Sequence, residues 1–383
     1  MTRFLFACDS FKGTISSARS AELLAEEASP FFPDATFDSL EVADGGEGTV
    51  DALVASLGGE RVTLTVSDSL GRPVEASYGL LPGGLAVIEM AAASGLPLLS
   101  LAERDPRLTS TYGTGELIAD AIARGVSDIT LAIGGSATND CGMGAMRALG
   151  ARFLDESGAE LAGTGSDLAR VDSIDLSGMD GRVAQTSFHV MCDVDNPLVG
   201  PRGATYVFGP QKGADPACAD ELEAGMRSYA AVLAATFGAD VSAEPGMGAA
   251  GGLGAAARLF LNAEVVGGVD RVLDLVGFDE ALAGCDLCVT GEGHADSQSA
   301  HGKVVSGVAA RCRKAGVPCV AVVGGMNADA TELFGCGVDA LVPTVIDVSS
   351  IEEVLAAAEG NFRLAAQRTF ALLSIGKGLG VGR

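Results

Sequence analysis

The chain is short of basic residues and histidine, and it has no tryptophan. Its 383 residues include 25 lysines and arginines against 50 aspartates and glutamates, and only three histidines. The net charge of −25 should repel nucleic acid and anionic membranes, so neither is expected as a partner. An anionic substrate would need local positive charge and helix N-termini to overcome this field. His189, His294 and His301 provide no zinc spacing and no Ser-His-Asp triad.

Membrane-spanning and disulfide patterns are also missing. No apolar run is long enough to cross a membrane, and the opening residues lack the basic and then apolar pattern of a signal segment. The nine cysteines are odd in number and scattered. We therefore expect a reduced, cytoplasmic enzyme. Cys285 and Cys288 form a CxxC without a second pair, which predicts small buried side chains rather than zinc ligands.

The chain does contain an alternation of strands and helices at both ends. Near the N-terminus the pattern predicts strand 3–8, helix 16–28, strand 36–42 and helix 50–57. From residue 286 it predicts strand 286–289, helix 303–315, strand 317–323, helix 329–335, strand 338–343 and a helix from Ser350. The five strands would form one parallel sheet.

The middle of the chain has a different pattern. Segments 61–67, 73–81 and 85–91 read as antiparallel strands joined by glycine turns. The predicted fold class is α/β with two domains. A Rossmann- or flavodoxin-like parallel-sheet domain would comprise residues 1–60 and 280–383, with an inserted mixed α/β domain at residues 61–279.

The segment 290–303, TGEGHADSQSAHGK, is the most polar connection of the predicted parallel sheet. It follows an apolar strand and precedes a helix, so we expect a loop at a strand's carboxyl end, where ligands bind in such sheets. Free N–H groups at the helix start would favour an anion. The alternative is a polar connector whose glycines serve only the turn.

Five further polar loops, most of them rich in glycine, follow predicted strands or precede helices. They are DSFKGT at 9–14, ADGGEGT at 43–49, GGSATND at 134–140, CDVDNPL at 192–198 and FGPQKGA at 208–214. Glycine lets backbone N–H groups approach phosphate oxygens, and serine, threonine and asparagine add donors. Lys12, Lys212 and Lys303 could neutralise phosphate charge. The acidic residues that could hold Mg²⁺ or accept a proton are Asp9, Asp44, Asp193, Asp195, Glu292 and Asp296.

Neither common nucleotide-binding pattern fits these loops. Lys303 is followed by Val304, so the GK[ST] of a P-loop is missing. Residues 246–251 spell GxGxxG, but no strand precedes them, which argues against a dinucleotide fingerprint. A nucleotide site would have to be of another kind.

Taken together, the loops resemble those of a known family. DSFKGT, ADGGEGT, TYGTGELI at 111–118, IGGSATND, CDVDNPL, VFGPQKGA, GMGAAGGLGA at 246–255 and TGEGHADSQSAHGK are similar, in order, to motifs of the bacterial glycerate kinase family. The similarity covers residues 9–343 and points to the type that yields 2-phosphoglycerate. One departure is Cys141, where the family pattern NDGG has glycine.

The resemblance implies transfer of a phosphoryl group from ATP, with Mg²⁺, to a hydroxyl of D-glycerate. It also implies two domains, one of them Rossmann-like, that close on a cleft in which the reaction takes place. Two alternatives remain open, a kinase of another small hydroxy acid such as tartronate or lactate, and a non-catalytic sensor of a metabolite. ADP release would separate an enzyme from a sensor.

The roles of individual residues follow from their positions in the predicted loops rather than from the family. We predict Lys12 and Lys303 as phosphate partners, Asp296 as the acceptor of the hydroxyl proton and Asp193 as a Mg²⁺ ligand. If Asp296 instead only orders its loop by accepting backbone N–H groups, the base would be Asp9, Asp44 or Asp193. The predicted substrate- and phosphate-binding residues are Asp9, Ser10, Gly13, Asp44, Gly45, Gly46, Glu47, Gly134, Gly135, Ser136, Thr138, Asn139, Lys212, Glu292 and Ser299.

Overall fold

The structure, a computed structural model, describes residues 2–11, 13–46, 48–347 and 349–378. Lys12 and Glu47, both predicted site residues, lie outside the described residues. The strands in chain order are β1 Arg3–Cys8, β2 Thr36–Ser39, β3 Glu60–Ser67, β4 Pro73–Leu81, β5 Leu85–Glu89, β6 Asp128–Ala132, β7 Arg152–Leu154, β8 Ser173–Asp175, β9 Ser187–Met191, β10 Glu264–Val266, β11 Leu287–Ala295, β12 Cys319–Met326 and β13 Ala340–Pro343.

Helices cover much of the remaining chain. In chain order they are α1 Ser17–Ala28, α2 Thr49–Leu57, α3 Ala91–Ser94, α4 Tyr112–Ala123, α5 Met143–Ala148, α6 Ala204–Phe208, α7 Pro216–Phe237, α8 Ala249–Phe260, α9 Gly268–Leu275, α10 Phe278–Leu282, α11 Val304–Ala315, α12 Leu333–Cys336, α13 Ile351–Ala356 and α14 Ala358–Gly378. Within the described residues, no helix is both long and apolar enough to cross a membrane.

The chain divides into two compact units. The first contains the described residues up to Asp44 and from Gly268 onward, and the second contains Gly45–Gly267. These limits differ from the sequence-derived limits near residues 60 and 280. Helix α2 belongs to the second unit, where the Val50 N–H donates to Glu89 of β5 over 2.9 Å. Helices α9 and α10 belong to the first, since Arg311 of α11 forms ion pairs with their side chains Asp270, Asp274 and Asp279.

The first unit is built on a parallel five-stranded sheet with the order β13-β12-β11-β1-β2. The predicted α/β class and its parallel sheet are confirmed. The central strands begin with apolar runs because helices cover both faces of such a sheet. On one face, Phe4, Phe6, Phe32 and Phe370 pack ring against ring, which anchors α14 to the strands.

The predicted loop 290–303 proved partly wrong, because β11 runs on to Ala295. It stays paired with β12 as far as His294 opposite Gly325 and Ala295 opposite Met326. The ladder can continue because β12 is glycine-rich there. A Cβ on Gly324 would stand 2.2 Å from the carbonyl oxygen of Gly293. The polar composition of residues 290–295 therefore predicts a loop, although the glycine of β12 allows them to form a strand.

The second unit has a mixed six-stranded sheet with the order β10-β9-β6-β5-β4-β3. As expected, β3, β4 and β5 form antiparallel pairs, whereas β5, β6, β9 and β10 run parallel. Its long helix α7 begins with Asp215 accepting from the N–H of Cys218, and Pro216 lies in its first turn. A short antiparallel pair of β7 and β8 completes this unit.

Candidate functional site

A cavity of about 560 Å³ lies in the first unit, at the carboxyl ends of its parallel strands. Asp9 and Ser10 follow β1, Asp44 lies beyond β2, Glu292 belongs to the last part of β11, and Thr344 follows β13. This is the position at which parallel α/β sheets bind ligands. The cavity lining also includes Gly293, His294, Lys303, Gly324 and Gly325, besides apolar side chains from two helices.

Glu292 is the most unusual group in this cavity. Its residue is only 6% exposed, and its Oε1 is buried without a hydrogen-bond partner in the part of the chain that the structure describes. Its Oε2 lies 3.9 Å from the Nζ of Lys303. Burial raises the pKa of the carboxyl, while Ser299 and Lys303 offset part of that effect. A buried carboxylate oxygen without a partner is costly, so it indicates a group that a ligand completes.

Lys303 approaches the cavity from the start of α11. It is the residue immediately before the helix, in extended conformation, and Gly302 before it has φ +73°. The first N–H groups of the helix have no partner within the helix itself, and its dipole adds positive potential there. Lys303 and this N-terminus supply the local positive charge that an anion needs in so acidic a protein.

Asp296 has the loop-ordering geometry that the sequence left open. Its Oδ1 accepts from the N–H of Gln298 over 2.9 Å and that of Ser299 over 3.2 Å, capping the short 3₁₀ helix Ser297–Ala300. The Asp296 N–H in turn donates to the hydroxyl of Ser299. Asp296 is not among the described residues that line the cavity. Its role as a proton acceptor stays a prediction, whereas Glu292 does line the cavity.

The loop after β1 is held against β11. The Asp9 N–H donates to the carbonyl of Gly291 over 2.9 Å, and the Asp9 carboxylate accepts from the N–H of Ser10. Gly13 turns this loop with φ +79° but does not appear in the cavity lining. Asp44 also lines the cavity, and it is the last residue of the N-terminal segment of this unit.

The other predicted residues lie in the second unit. Gly45 and Gly46 open it, and the carbonyl of Gly46 accepts from the hydroxyl of Thr49 at the start of α2. Gly134 and Gly135 are exposed, and so is Asp193, the second residue after β9. The structure tests none of their predicted roles, including that of Asp193 as a Mg²⁺ ligand.

A buried polar cluster surrounds residues 134–140 of the second unit. Lys212 is only 2% exposed, and its Nζ donates to the carbonyl of Thr138 over 2.6 Å and to the hydroxyl of Ser136 over 3.5 Å. Burial lowers the pKa of Lys212 to about 7. Asn139 donates to Thr205 over 3.2 Å, while its Oδ1 is buried without a partner among the described residues.

Asp140 is the centre of this cluster, although the sequence did not single it out. Its carboxylate accepts from the N–H and the hydroxyl of Thr111 and from the N–H groups of Gly142 and Gly144, over 2.7 to 3.2 Å. Burial raises the pKa of Asp140 above its usual value, against these hydrogen bonds. Its oxygens are therefore used within the protein and hold the turn after β6 in place.

The GxGxxG segment belongs to the same packing arrangement. Gly251 has φ +66°, and a Cβ there would stand 2.1 Å from the carbonyl oxygen of Thr138. Gly251 and Gly252 allow the non-helical backbone at residues 250–252 to approach residues 138–141, and no strand leads into the motif. At Gly251 the motif thus serves close backbone packing.

Comparison with known proteins identifies the family to which this chain is similar. Residues 4–374 match the sequence profile of the glycerate kinase family. The chain belongs to this family. The resemblance inferred from its loops is confirmed, and members of the glycerate kinase family are kinases, that is, transferases of phosphoryl groups.

Relatives match the chain from end to end. Glycerate 2-kinase of Escherichia coli K12 is 41% identical over 375 residues, covering 98% of each chain. Glycerate kinase of Bacillus subtilis 168 is 41% identical over 376 residues, again covering 98% of each. The crystal structure of a provisionally named glycerate kinase 2 from Salmonella typhimurium LT2 is 41% identical, with a TM-score of 0.90 over 98% of this chain and 99% of that one.

Cys141 shows how this glycerate kinase family member differs from the family pattern NDGG. The residue is fully buried with φ +49°, the left-handed conformation that glycine adopts most easily. Its N–H donates to the carbonyl of Gly251 over 2.9 Å, and its thiol lies 3.5 Å from the carbonyl of Gly252. The cysteine is thus held in a conformation that glycine would adopt without strain.

Sequence reasoning missed the apolar part of the cavity. His294 and Thr344 also line it, and the apolar residues of the lining are Phe11, Ile15, Val345, Ile351, Val354, Leu355, Ala358 and Phe362. The sequence did contain a signal for this helix, because the apolar residues of 351–358 fall at helical spacing. That spacing predicts a helix with one apolar side, but it does not indicate whether this side packs on the core or lines a cavity.

Proposed function

We propose that this protein is a glycerate kinase that transfers the γ-phosphoryl group of ATP to the 2-hydroxyl of D-glycerate, giving 2-phosphoglycerate. Family membership and the names of the relatives support the reaction class and the acceptor. The observation that carries the proposal is the buried Oε1 of Glu292 beside Lys303, for which the described part of the chain offers no hydrogen-bond partner, in a cavity at the ends of parallel strands. That combination suits a reaction in which a hydroxyl loses its proton as a phosphate gains a bond.

The reaction needs positioning and charge neutralisation more than covalent help from the protein. The oxygen of the glycerate hydroxyl forms a bond to the γ-phosphorus. The bond from that phosphorus to the bridging oxygen of the β-phosphate breaks, and ADP leaves. The hydroxyl proton passes to a carboxylate.

Lys303 and the N-terminus of α11 would hold the transferring phosphoryl group. The Nζ of Lys303 is close enough to Glu292 for attraction but is not in a tight ion pair, at 3.9 Å. A third of its side chain is still exposed, so it can turn toward a ligand without breaking a buried contact. Donors of this kind act on charge that develops as the phosphoryl group moves.

Glu292 would accept the hydroxyl proton. Its raised pKa makes it a better base than an ordinary glutamate, because the ideal pKa of a general base lies near the working pH. Asp296, the residue predicted from sequence, would then order the 3₁₀ turn that carries Ser299 toward Glu292. The two roles separate cleanly on substitution.

Magnesium fits the chemistry of the residues that line this cavity. Mg²⁺ is usually held by one or two carboxylates together with substrate phosphates, and Asp9 and Asp44 are such carboxylates. Within the described residues, no set of three or more acidic, histidine or cysteine side chains is grouped to hold a metal without such help. Bound Mg²⁺ would neutralise charge on the phosphates. Asp193 stays a predicted ligand without further support.

The test is a coupled assay of ADP release by the purified protein with ATP, Mg²⁺ and D-glycerate. We expect turnover that depends on glycerate, and ³¹P NMR should identify 2-phosphoglycerate as the product. Tartronate and lactate serve as matched acceptors and should react more slowly. Absence of ADP release with glycerate would overturn the proposal, and faster turnover of tartronate or lactate would reassign the acceptor.

A further inference from the structure

Helix α13 has an apolar side that the protein does not bury. Ile351, Val354, Leu355 and Ala358, the last being the first residue of α14, follow the i, i+3, i+4, i+7 spacing that normally places a helix against a core. None of the residues of α13 is buried, and Ile351 and Leu355 remain 75% and 52% exposed. At the start of the helix, Ser350 and Glu353 form a capping box.

The same four side chains line the cavity that contains Glu292 and Lys303. Behind them, Phe11 and Phe362 are buried and meet edge to face, with ring centroids 5.2 Å apart. The cavity lining therefore combines two kinds of surface. One kind has acidic groups and a lysine beside a helix N-terminus, and the other, which we call the apolar end, is aliphatic and partly aromatic.

The phosphoryl acceptor cannot account for the apolar end. Glycerate has three carbons that carry two hydroxyls and a carboxylate, so it offers no apolar surface to such a wall. A nucleoside triphosphate combines an aromatic base with a polyanionic tail, and it matches both kinds of surface at once. The volume of about 560 Å³ also lies within the range of about 300–1,000 Å³ that is usual for ligand sites.

We infer that the apolar end of this cavity, formed by α13 and the rings of Phe11 and Phe362, binds the aromatic base of the nucleoside triphosphate. This inference rests on the proposed function, because it assigns one substrate of that reaction to a place in the first unit. The base lies against Val354 and Leu355 with its faces covered, as aromatic rings do on apolar surfaces. The phosphates extend toward Lys303.

Leu355→Gln tests this assignment by isothermal titration calorimetry with ADP and, separately, with inorganic tripolyphosphate. Leu355 is half exposed, so its substitution should leave the fold intact. We expect a dissociation constant for ADP about tenfold weaker than that of the wild type, on the scale of one lost apolar contact. Tripolyphosphate lacks the base, so its affinity should be the same for both proteins.

The matched control is Leu372→Gln on α14. Leu372 is 70% exposed and is not part of the described cavity lining, so the same chemical change should leave ADP binding within about twofold of the wild type. Equal ADP affinities for the Leu355 and Leu372 variants would overturn the inference. So would equal weakening of ADP and tripolyphosphate in Leu355→Gln, or a change of oligomeric state in that variant with normal ADP binding.

The outcomes also separate this inference from the proposed function. If the wild type phosphorylates glycerate but Leu355→Gln binds ADP normally, the function stands and the base site is wrong. If ADP binding depends on Leu355 while glycerate is not phosphorylated, the base site stands and the function is wrong. If the wild type binds no ADP, both are wrong.

Discussion

The two units each hold a lysine beside an acidic residue in a polar setting, but they use these groups differently. In the second unit, Asp140 receives four hydrogen bonds from the protein and Lys212 donates to a carbonyl and a hydroxyl. In the first unit, Glu292 has an oxygen without a partner among the described residues and Lys303 lies 3.9 Å away, both facing a cavity. The arrangement in the second unit stabilises the fold, whereas the arrangement in the first unit leaves polar groups available.

This contrast shows that composition alone does not separate a site from a structural network. GGSATND and TGEGHADSQSAHGK are both rich in glycine and polar residues. Only the hydrogen-bond inventory distinguishes them, because a buried polar atom without a partner costs free energy that a ligand can recover. In the Asp140 cluster, the Oδ1 of Asn139 is likewise buried without a partner among the described residues.

Lys303 should give the largest effect that separates the two regions. Lys303→Ala removes the cation from the cavity and should lower kcat/KM for glycerate phosphorylation by about 100- to 1,000-fold, the scale of one lost electrostatic donor. Lys314→Ala, at the exposed other end of α11, is the matched control and should behave as wild type. A Lys303 variant with wild-type kcat/KM would remove this residue from the site.

The next largest effect should be a difference in kcat between substitutions of Glu292 and of Asp296. Glu292→Gln keeps the shape of the side chain but cannot accept a proton, so kcat should fall by about a hundredfold or more. Asp296→Asn retains an oxygen that can cap the turn, so most of kcat should remain. Steady-state kinetics at saturating ATP and glycerate measures both. The reverse result would restore Asp296 as the base and make Glu292 an ordering residue.

Asp140 should matter for stability. Asp140→Ala leaves four buried donors of the second unit without their acceptor, and the free energy of unfolding should fall by at least about 2 kcal/mol. Urea unfolding of the full chain measures the change. Asp180→Ala, which removes a more exposed pair with Arg182, should lower the free energy of unfolding much less. Equal effects of the two substitutions would mean that the buried network contributes no more than a surface ion pair.

The smallest effect concerns the stability of Glu292→Gln. Burial raises the pKa of Glu292 in the folded protein above its unfolded value of about 4.3. The protonated carboxyl therefore contributes stability that is fully present below the unfolded pKa and is lost as the pH rises through the folded pKa. Glutamine cannot ionise and escapes that loss. Without nucleotide or Mg²⁺, the variant should have a higher Tm than the wild type at pH 8, with the advantage shrinking toward pH 4. A lower Tm for the variant at pH 8 would show that the charged carboxylate is stabilised in the fold.

Much of the first unit could be predicted because its signals are local. Ser16 caps α1 and Ser350 caps α13 through contacts within three residues, and the apolar strands have few alternatives to a covered parallel sheet. The extension of β11 could not be predicted, since it depends on Gly324 of a strand some thirty residues away. The unit boundaries likewise depend on distant partners, Glu89 for α2 and Arg311 for α9.

The sequence by itself determined the fold class, the family and the loops that carry polar chemistry, because periodicity, capping residues and motif order are properties of neighbouring residues. Tertiary structure alone decided which polar groups are left without partners. Asp296 and Glu292 are four residues apart in one segment, yet one caps a turn and the other faces a cavity. That choice depends on burial and on hydrogen-bond partners from other strands and helices, which no local pattern encodes.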